Sequence, residues 1–244
     1  MATAEPAPRP LTETQRLVGV FWEPKPVFQD LAAHPRWWAP LILMTALSLV
    51  YIVMFSRTVG WETFMRHQLE TNERVQQMPP EQRERALEQA VKFGAGFGYA
   101  GALLGVPVSM LLISAVLLGV FNALAGAELR FRQAFSITTY ASLPSALGVV
   151  LGMIVMRFKN PEDFDLQNPV PLSLGAYLDP TGTPKFLHTI AGSLDLLSIW
   201  VILLLALGFS TAARKISYQR ALVLIMIPWA AYVLIKAGWS AAFA

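Results

Sequence analysis

The sequence predicts an all-α, polytopic membrane protein: a five-helix transmembrane bundle with short amphipathic interfacial helices. Three observations carry this. Apolar residues make up 55% of the 244 and charged residues only 14%, whereas about a quarter of an ordinary soluble domain is charged. Apolar runs recur at Trp37–Phe55, Gly94–Ala127, Ala134–Met156, Thr189–Ala213 and Ala221–Ala244. Each is long enough for a ~30 Å hydrocarbon core at ~1.5 Å per residue. The segments between the runs hold most of the charge.

The leader comes first. Residues 1–15 are expected to be largely disordered, with Pro and Ala dominating Met1–Pro10. Thr12 suits the cap of a short helix to Trp22 with Leu17, Val18 and Phe21 on one side. Pro24 and Pro26 end it, and Pro26 suits the first position of a second helix carrying Val27, Phe28 and Leu31. Two such amphipathic pieces followed by Pro35-Arg36-Trp37-Trp38 read as an interfacial collar, because tryptophan favours the headgroup zone. Trp22, Trp37 and Trp38 mark one interface, and Trp61, just beyond the first run, marks the other.

Glu62–Lys92 is a polar insert in which Pro79-Pro80-Glu81 signals a helix start and Glu88–Lys92 adds an i,i+4 pair. It reads as a solvated helical hairpin leaning on the membrane. Gly94–Ala127 has 34 residues without a charge, more than one straight crossing needs. Its Gly94, Gly98, Gly101 and Gly105 form small-xxx-small spacings that let another helix approach closely. The third run opens with Ser136, Thr138, Thr139, Tyr140, Ser142 and Ser145, with Pro144 among them. Its Tyr140, Ser142 and Pro144 mark a polar span, whose hydroxyls are expected to bond back to helix carbonyls.

Thr189–Ala213 has Asp195 as its one ionisable side chain. A buried acid costs a few kcal/mol on insertion scales and faces protein or water, so Asp195 needs a partner. The fifth run supplies Lys236, and Arg157 at the end of the third run is the alternative. The Lys and Arg totals on the two sides tie. The short turns carrying Arg130 and Arg132, and Arg214, Lys215 and Arg220, are the most densely basic, which puts the amino terminus in the cytoplasm.

Several function classes fall away. The net charge of +3 is scattered in short clusters, so nucleic acid is not an expected partner. With no cysteine, thiol catalysis, thiolate metal sites and disulfides are excluded. His34, His67 and His188 lie outside the runs, and no HExxH or GxSxG occurs. Asp163, Asp165 and Asp179 lack the spacing of a calcium loop. No catalytic, metal or cofactor-binding residue is assigned, and no cofactor is expected. The first 36 residues contain no apolar core of signal-peptide type.

The order and spacing of three segments carry a resemblance. They are Phe21-Trp22-Glu23-Pro24 with Pro35-Arg36-Trp37-Trp38-Ala39-Pro40, then Tyr140-Ala141-Ser142-Leu143-Pro144, then Leu194-Asp195-Leu196-Leu197-Ser198-Ile199-Trp200 followed by Gly208. Over about residues 16–240 the chain resembles the Yip family of Ypt/Rab-interacting membrane proteins, in its bacterial form. The resemblance implies a single membrane domain over 16–244 with five membrane helices and a cytoplasmic amino terminus, in a bacterial inner membrane. The eukaryotic Asp-Leu-Tyr-Gly-Pro motif does not occur here, so a Rab-type GTPase is not carried over as a partner. The expected partners are the lipid bilayer and other membrane proteins or a second copy. The expected role is a non-enzymatic scaffold or accessory subunit that binds membrane proteins or organises lipid. The alternative is a small transporter or channel using the polar residues of spans three to five.

Overall fold

The computed structural model describes residues 10–70, 73–161, 164, 166, 169–179, 182–213 and 215–243. Most of the expected disordered leader, together with Asp163, Asp165 and Arg214, lies outside the described residues. The described chain is helical: α1 (Glu13–Trp22), α2 (Pro24–Ala33), α3 (Trp38–Thr58), α4 (Trp61–Glu70), α5 (Glu73–Gln76), α6 (Pro80–Ala125), α7 (Phe131–Ala141), α8 (Pro144–Phe158), α9 (Lys185–Ser193), α10 (Leu196–Ala212) and α11 (Tyr218–Phe243), with a 3-10 turn at Leu174–Tyr177. Four segments are long and apolar enough to cross a membrane: Trp38–Thr58, Pro80–Ala125, Phe131–Phe158 and Tyr218–Ala242.

Local chemistry explains where these helices start and stop. Thr12 caps α1, its Oγ1 accepting from Gln15 N at 3.3 Å while Gln15 Oε1 accepts from Thr12 N at 2.9 Å. Each side chain thereby satisfies an amide at the helix start. α2 begins at Pro24 rather than Pro26, because Pro24 already suits the first turn. α6 and α7 are separated by a turn in which Gly126 and Glu128 adopt left-handed backbone, at φ 59° and 54°. Asn122 holds that turn by donating to Leu129 O at 3.0 Å and accepting from Leu129 N at 2.9 Å.

Two sequence expectations change. The polar insert and the second run are not separate elements after α5: α6 is one helix of 46 residues with Pro107 inside it. At ~1.5 Å per residue it is ~69 Å long, about twice the hydrocarbon thickness. The favourable start at Pro80 and the charged, helix-forming stretch after it leave nothing to stop propagation into the apolar run.

The second change concerns Thr189–Ala213, which is not one helix. α9 ends at Ser193, and Leu194 and Asp195 are extended enough to pair with a loop strand. Leu174 N donates to Leu194 O at 3.1 Å and Leu196 N to Leu172 O at 3.2 Å, around an antiparallel bridge between Ser173 and Asp195. Asp195 Oδ1 accepts from Leu197 N at 3.0 Å and Ser198 N at 2.9 Å, opening α10. Aspartate competes for backbone amides and favours a cap over a helix interior. α10 therefore keeps 17 residues of the run.

The contacts divide the chain into two compact units. The first comprises the leader to Pro40, Met110–Pro144 and Ile199–Tyr232. Its core includes Val20, Val27, Phe28, Leu31, Phe121, Ile137 and Phe209, with the Phe121 and Phe209 rings 4.6 Å apart. Gly208 lets Phe28 and Ile137 close over α10; a Cβ there would lie 2.9 Å from Phe28 Cδ1 and closer still to Ile137 Cγ2. The second comprises Leu41–Ser109, Ser145–Ser198 and Val233–Ala244. Its core gathers Ile52, Phe55, Val59, Trp61, Ala102, Met156 and Phe164.

Candidate functional site

Within the first unit, Arg16 is the largest fully buried side chain among the described residues. It lies on the same face of α1 as Val20, and these two are the buried residues of that helix. Val18, an expected member of the inward face, is instead 53% exposed. An arginine is almost never fully buried without partners, and here the partners turn the helix. Arg16 Nε donates to Asp30 Oδ2 at 2.7 Å, and Nη2 lies 2.6 Å from the same oxygen. Nη1 donates to Glu13 Oε1 at 3.1 Å.

The network extends into the third apolar run. Glu13 Oε2 accepts from the Tyr140 hydroxyl at 2.6 Å, and Arg36 Nη1 donates to Glu13 Oε1 at 3.3 Å. Asp30 Oδ1 pairs with His34 Nδ1 at 3.2 Å. Two arginines thus balance two carboxylates around one buried phenol. Gln133 adds a neutral tie, its Nε2 donating to Ala32 O at 3.0 Å. Aromatic contacts back this up: Phe21 packs edge-on to Trp200 at 5.8 Å and Trp37 against Phe135 at 5.2 Å. The result is a clamp that fixes α1 and α2 to α7.

The polar span is thereby accounted for. Ala134–Ala141 is buried throughout, and three hydroxyls turn back on the helix: Ser136 to Arg132 O at 2.8 Å, Thr139 to Ser136 O at 3.0 Å, Ser142 to Thr138 O at 2.8 Å. The buried Thr138 hydroxyl has no hydrogen-bond partner among the described residues. Pro144 has no N–H to donate to Tyr140 O, and the chain resets between α7 and α8. Leu143 N takes that carbonyl at 3.2 Å instead.

The other expected residues are placed as follows. Asp195 caps α10 and Lys236 is exposed on α11; among the described residues they form no ion pair. Arg157 is exposed at the end of α8. Gly94 and Gly98 sit against Met65 and Trp61, while Gly101 and Gly105 have open space where a Cβ would stand. Trp22 is 81% exposed and Trp37 and Trp38 are partly exposed, but Trp61 is buried. Its indole packs 5.0 Å from the Phe55 ring and over Gly98, so it belongs to the core of the second unit. Glu13, Arg16 and Asp30 were not singled out by sequence. The available signal was an arginine one helical turn before Val20 in an otherwise amphipathic leader.

Comparison with known proteins agrees with this chemistry of membrane helices. Residues 18–239 match the Yip1 domain. Membrane protein YknW of Bacillus subtilis (strain 168) is 25% identical over 221 residues, 88% of this chain and 87% of that protein. No solved structure matches.

Proposed function

Since the chain belongs to the Yip1 domain family and is a multi-pass membrane protein, we propose that it acts as a non-enzymatic integral membrane scaffold or accessory subunit, binding other membrane proteins or organising lipid. The observation that carries this reading is the clamped leader. Arg16, Glu13, Asp30 and Tyr140 hold α1 and α2 in place, while Val18 and Trp22 stay exposed. An amphipathic platform fixed in this way has a ready apolar edge for the headgroup zone or a neighbouring membrane protein. The transporter alternative draws on Asp195 and Lys236, but the Asp195 carboxylate is engaged by α10 amides.

We place the protein in a bacterial inner membrane with five crossings and the amino terminus in the cytoplasm. α10 supports the fifth crossing, its 17 residues lying at the short end of the ~17–25 that span a bilayer. The chain has no cysteine, so single cysteines at Arg130 and Lys185 report topology directly and should label from opposite sides. Labelling from one side removes this arrangement. For the role itself, purification in mild detergent should retain a stoichiometric membrane protein, lost when Val18 and Trp22 are both changed to Ser. Solute flux through the pure, reconstituted protein would overturn the scaffold reading.

A further inference from the structure

At the far end of α3, in the second unit, a groove of about 520 Å³ is lined by Leu49, Val50, Val53, Met54, Arg57 and Arg157. Arg57 is in the last turn of α3 and Arg157 in the last turn of α8, so both stand where an apolar membrane helix meets the polar zone. Both are exposed, and among the described residues neither makes an ion pair or a side-chain hydrogen bond. Each helix dipole favours a cation at that end without occupying the guanidinium donors. The wall leading to them is apolar, with Val50 54% and Val53 38% exposed.

We infer that this groove binds an anionic phospholipid, its phosphate held by Arg57 and Arg157 and an acyl chain lying along Val50, Val53 and Leu49. The charge selects an anion, and guanidinium donors match phosphate oxygens in bidentate geometry. The apolar wall selects a lipid over a soluble anion, which would gain nothing from Val50 and Val53. Guanidinium groups where a membrane helix meets the polar zone attract an anionic headgroup through charge-assisted hydrogen bonds in either leaflet. Two cations with no ion-pair partner among the described residues also select phosphatidylglycerol over zwitterionic phosphatidylethanolamine, whose ammonium would be repelled. The site needs only a membrane protein and not the scaffold role, so it is tested without reference to any co-purifying protein.

The experiment is native mass spectrometry of the delipidated full chain titrated with phosphatidylglycerol or phosphatidylethanolamine of the same acyl chains. The wild type should retain phosphatidylglycerol preferentially. Arg57→Gln and Arg157→Gln should each weaken that retention about five-fold, the effect of one interfacial cation, and the double variant should abolish the preference. Arg85→Gln, in the exposed start of α6, should leave it unchanged. Equal retention of both lipids by the wild type, or an unchanged preference in the double variant, overturns the inference. Displacement of phosphatidylglycerol by millimolar inorganic phosphate overturns it too, since that marks a site for a soluble anion.

Discussion

Arg16→Met tests the clamp where its consequences are largest. The substitution keeps an unbranched stem in a site with no solvent access but removes three contacts to two carboxylates. Breaking a buried ion pair by deleting one partner costs ~3–5 kcal/mol, because the remaining charge stays desolvated. Here the stranded groups have some relief. The Glu13 and Asp30 side chains retain 18% and 11% exposure, and they keep Arg36 with Tyr140, and His34, respectively. The lower end, ~3 kcal/mol, is therefore expected, or a fall of ~6–12 °C in Tm for a chain of this length. Limited chymotrypsinolysis after Phe28, buried in α2, should accelerate as the leader lifts from α7. Adding Asp30→Leu removes one stranded carboxylate, leaves Glu13 with Arg36 and Tyr140, and should recover much of the loss. The reasoning fails if Arg16→Met melts within about 1 °C of wild type, or if the double variant is less stable than the single by the full effect of Asp30→Leu alone.

Three further outcomes follow from other contacts. Tyr140→Phe removes one hydrogen bond to a carboxylate while preserving the ring, so it should cost ~1.5–3 kcal/mol by thermal melting and lose most of its effect in the Glu13→Ala background, which has no acceptor. Gly208→Ala should destabilise by ~1–3 kcal/mol, since Phe28 and Ile137 must both give way; wild-type stability would mean the α10 interface is loose. Gly98→Ala drives a methyl into Trp61, whereas Gly101→Ala meets open space. The first should lower Tm in detergent and the second should not, and equal shifts would mean that Gly101 also faces a partner.

Class and family were legible because they rest on composition and on the order of long apolar runs, which survive any error in a single boundary. Boundaries were less legible where short-range backbone chemistry competes with hydrophobicity. Thr189–Ala213 has enough apolar residues for one span, yet the helix breaks between Ser193 and Leu196, where one carboxylate gains two amides of the next helix. The converse holds at Pro80, where a polar segment joins an apolar one because nothing between them breaks a helix. The clamp was hidden for a different reason. Asp30 and Tyr140 lie 14 and 124 positions after Arg16 in sequence, and only tertiary contact turns an arginine on an amphipathic leader into a buried group. Trp61 shows the limit of counting aromatic residues near span ends: it lies in a core beside Phe55 and over Gly98 of α6.

The membrane makes every polar side chain a candidate for function, so the useful distinction is which groups still have hydrogen-bonding capacity once the fold is complete. Asp195 meets its need with two amides of its own helix. Tyr140, Glu13, Asp30 and Arg16 engage one another, and Ser136, Thr139 and Ser142 engage carbonyls of α7. Arg57 and Arg157 differ. They are cationic, they line one groove beside exposed valines, and their donors are not engaged by any described residue. A scaffold that organises lipid needs a place where lipid is preferred over bulk bilayer, and two such cations at the end of an apolar wall meet that need by charge and by shape together.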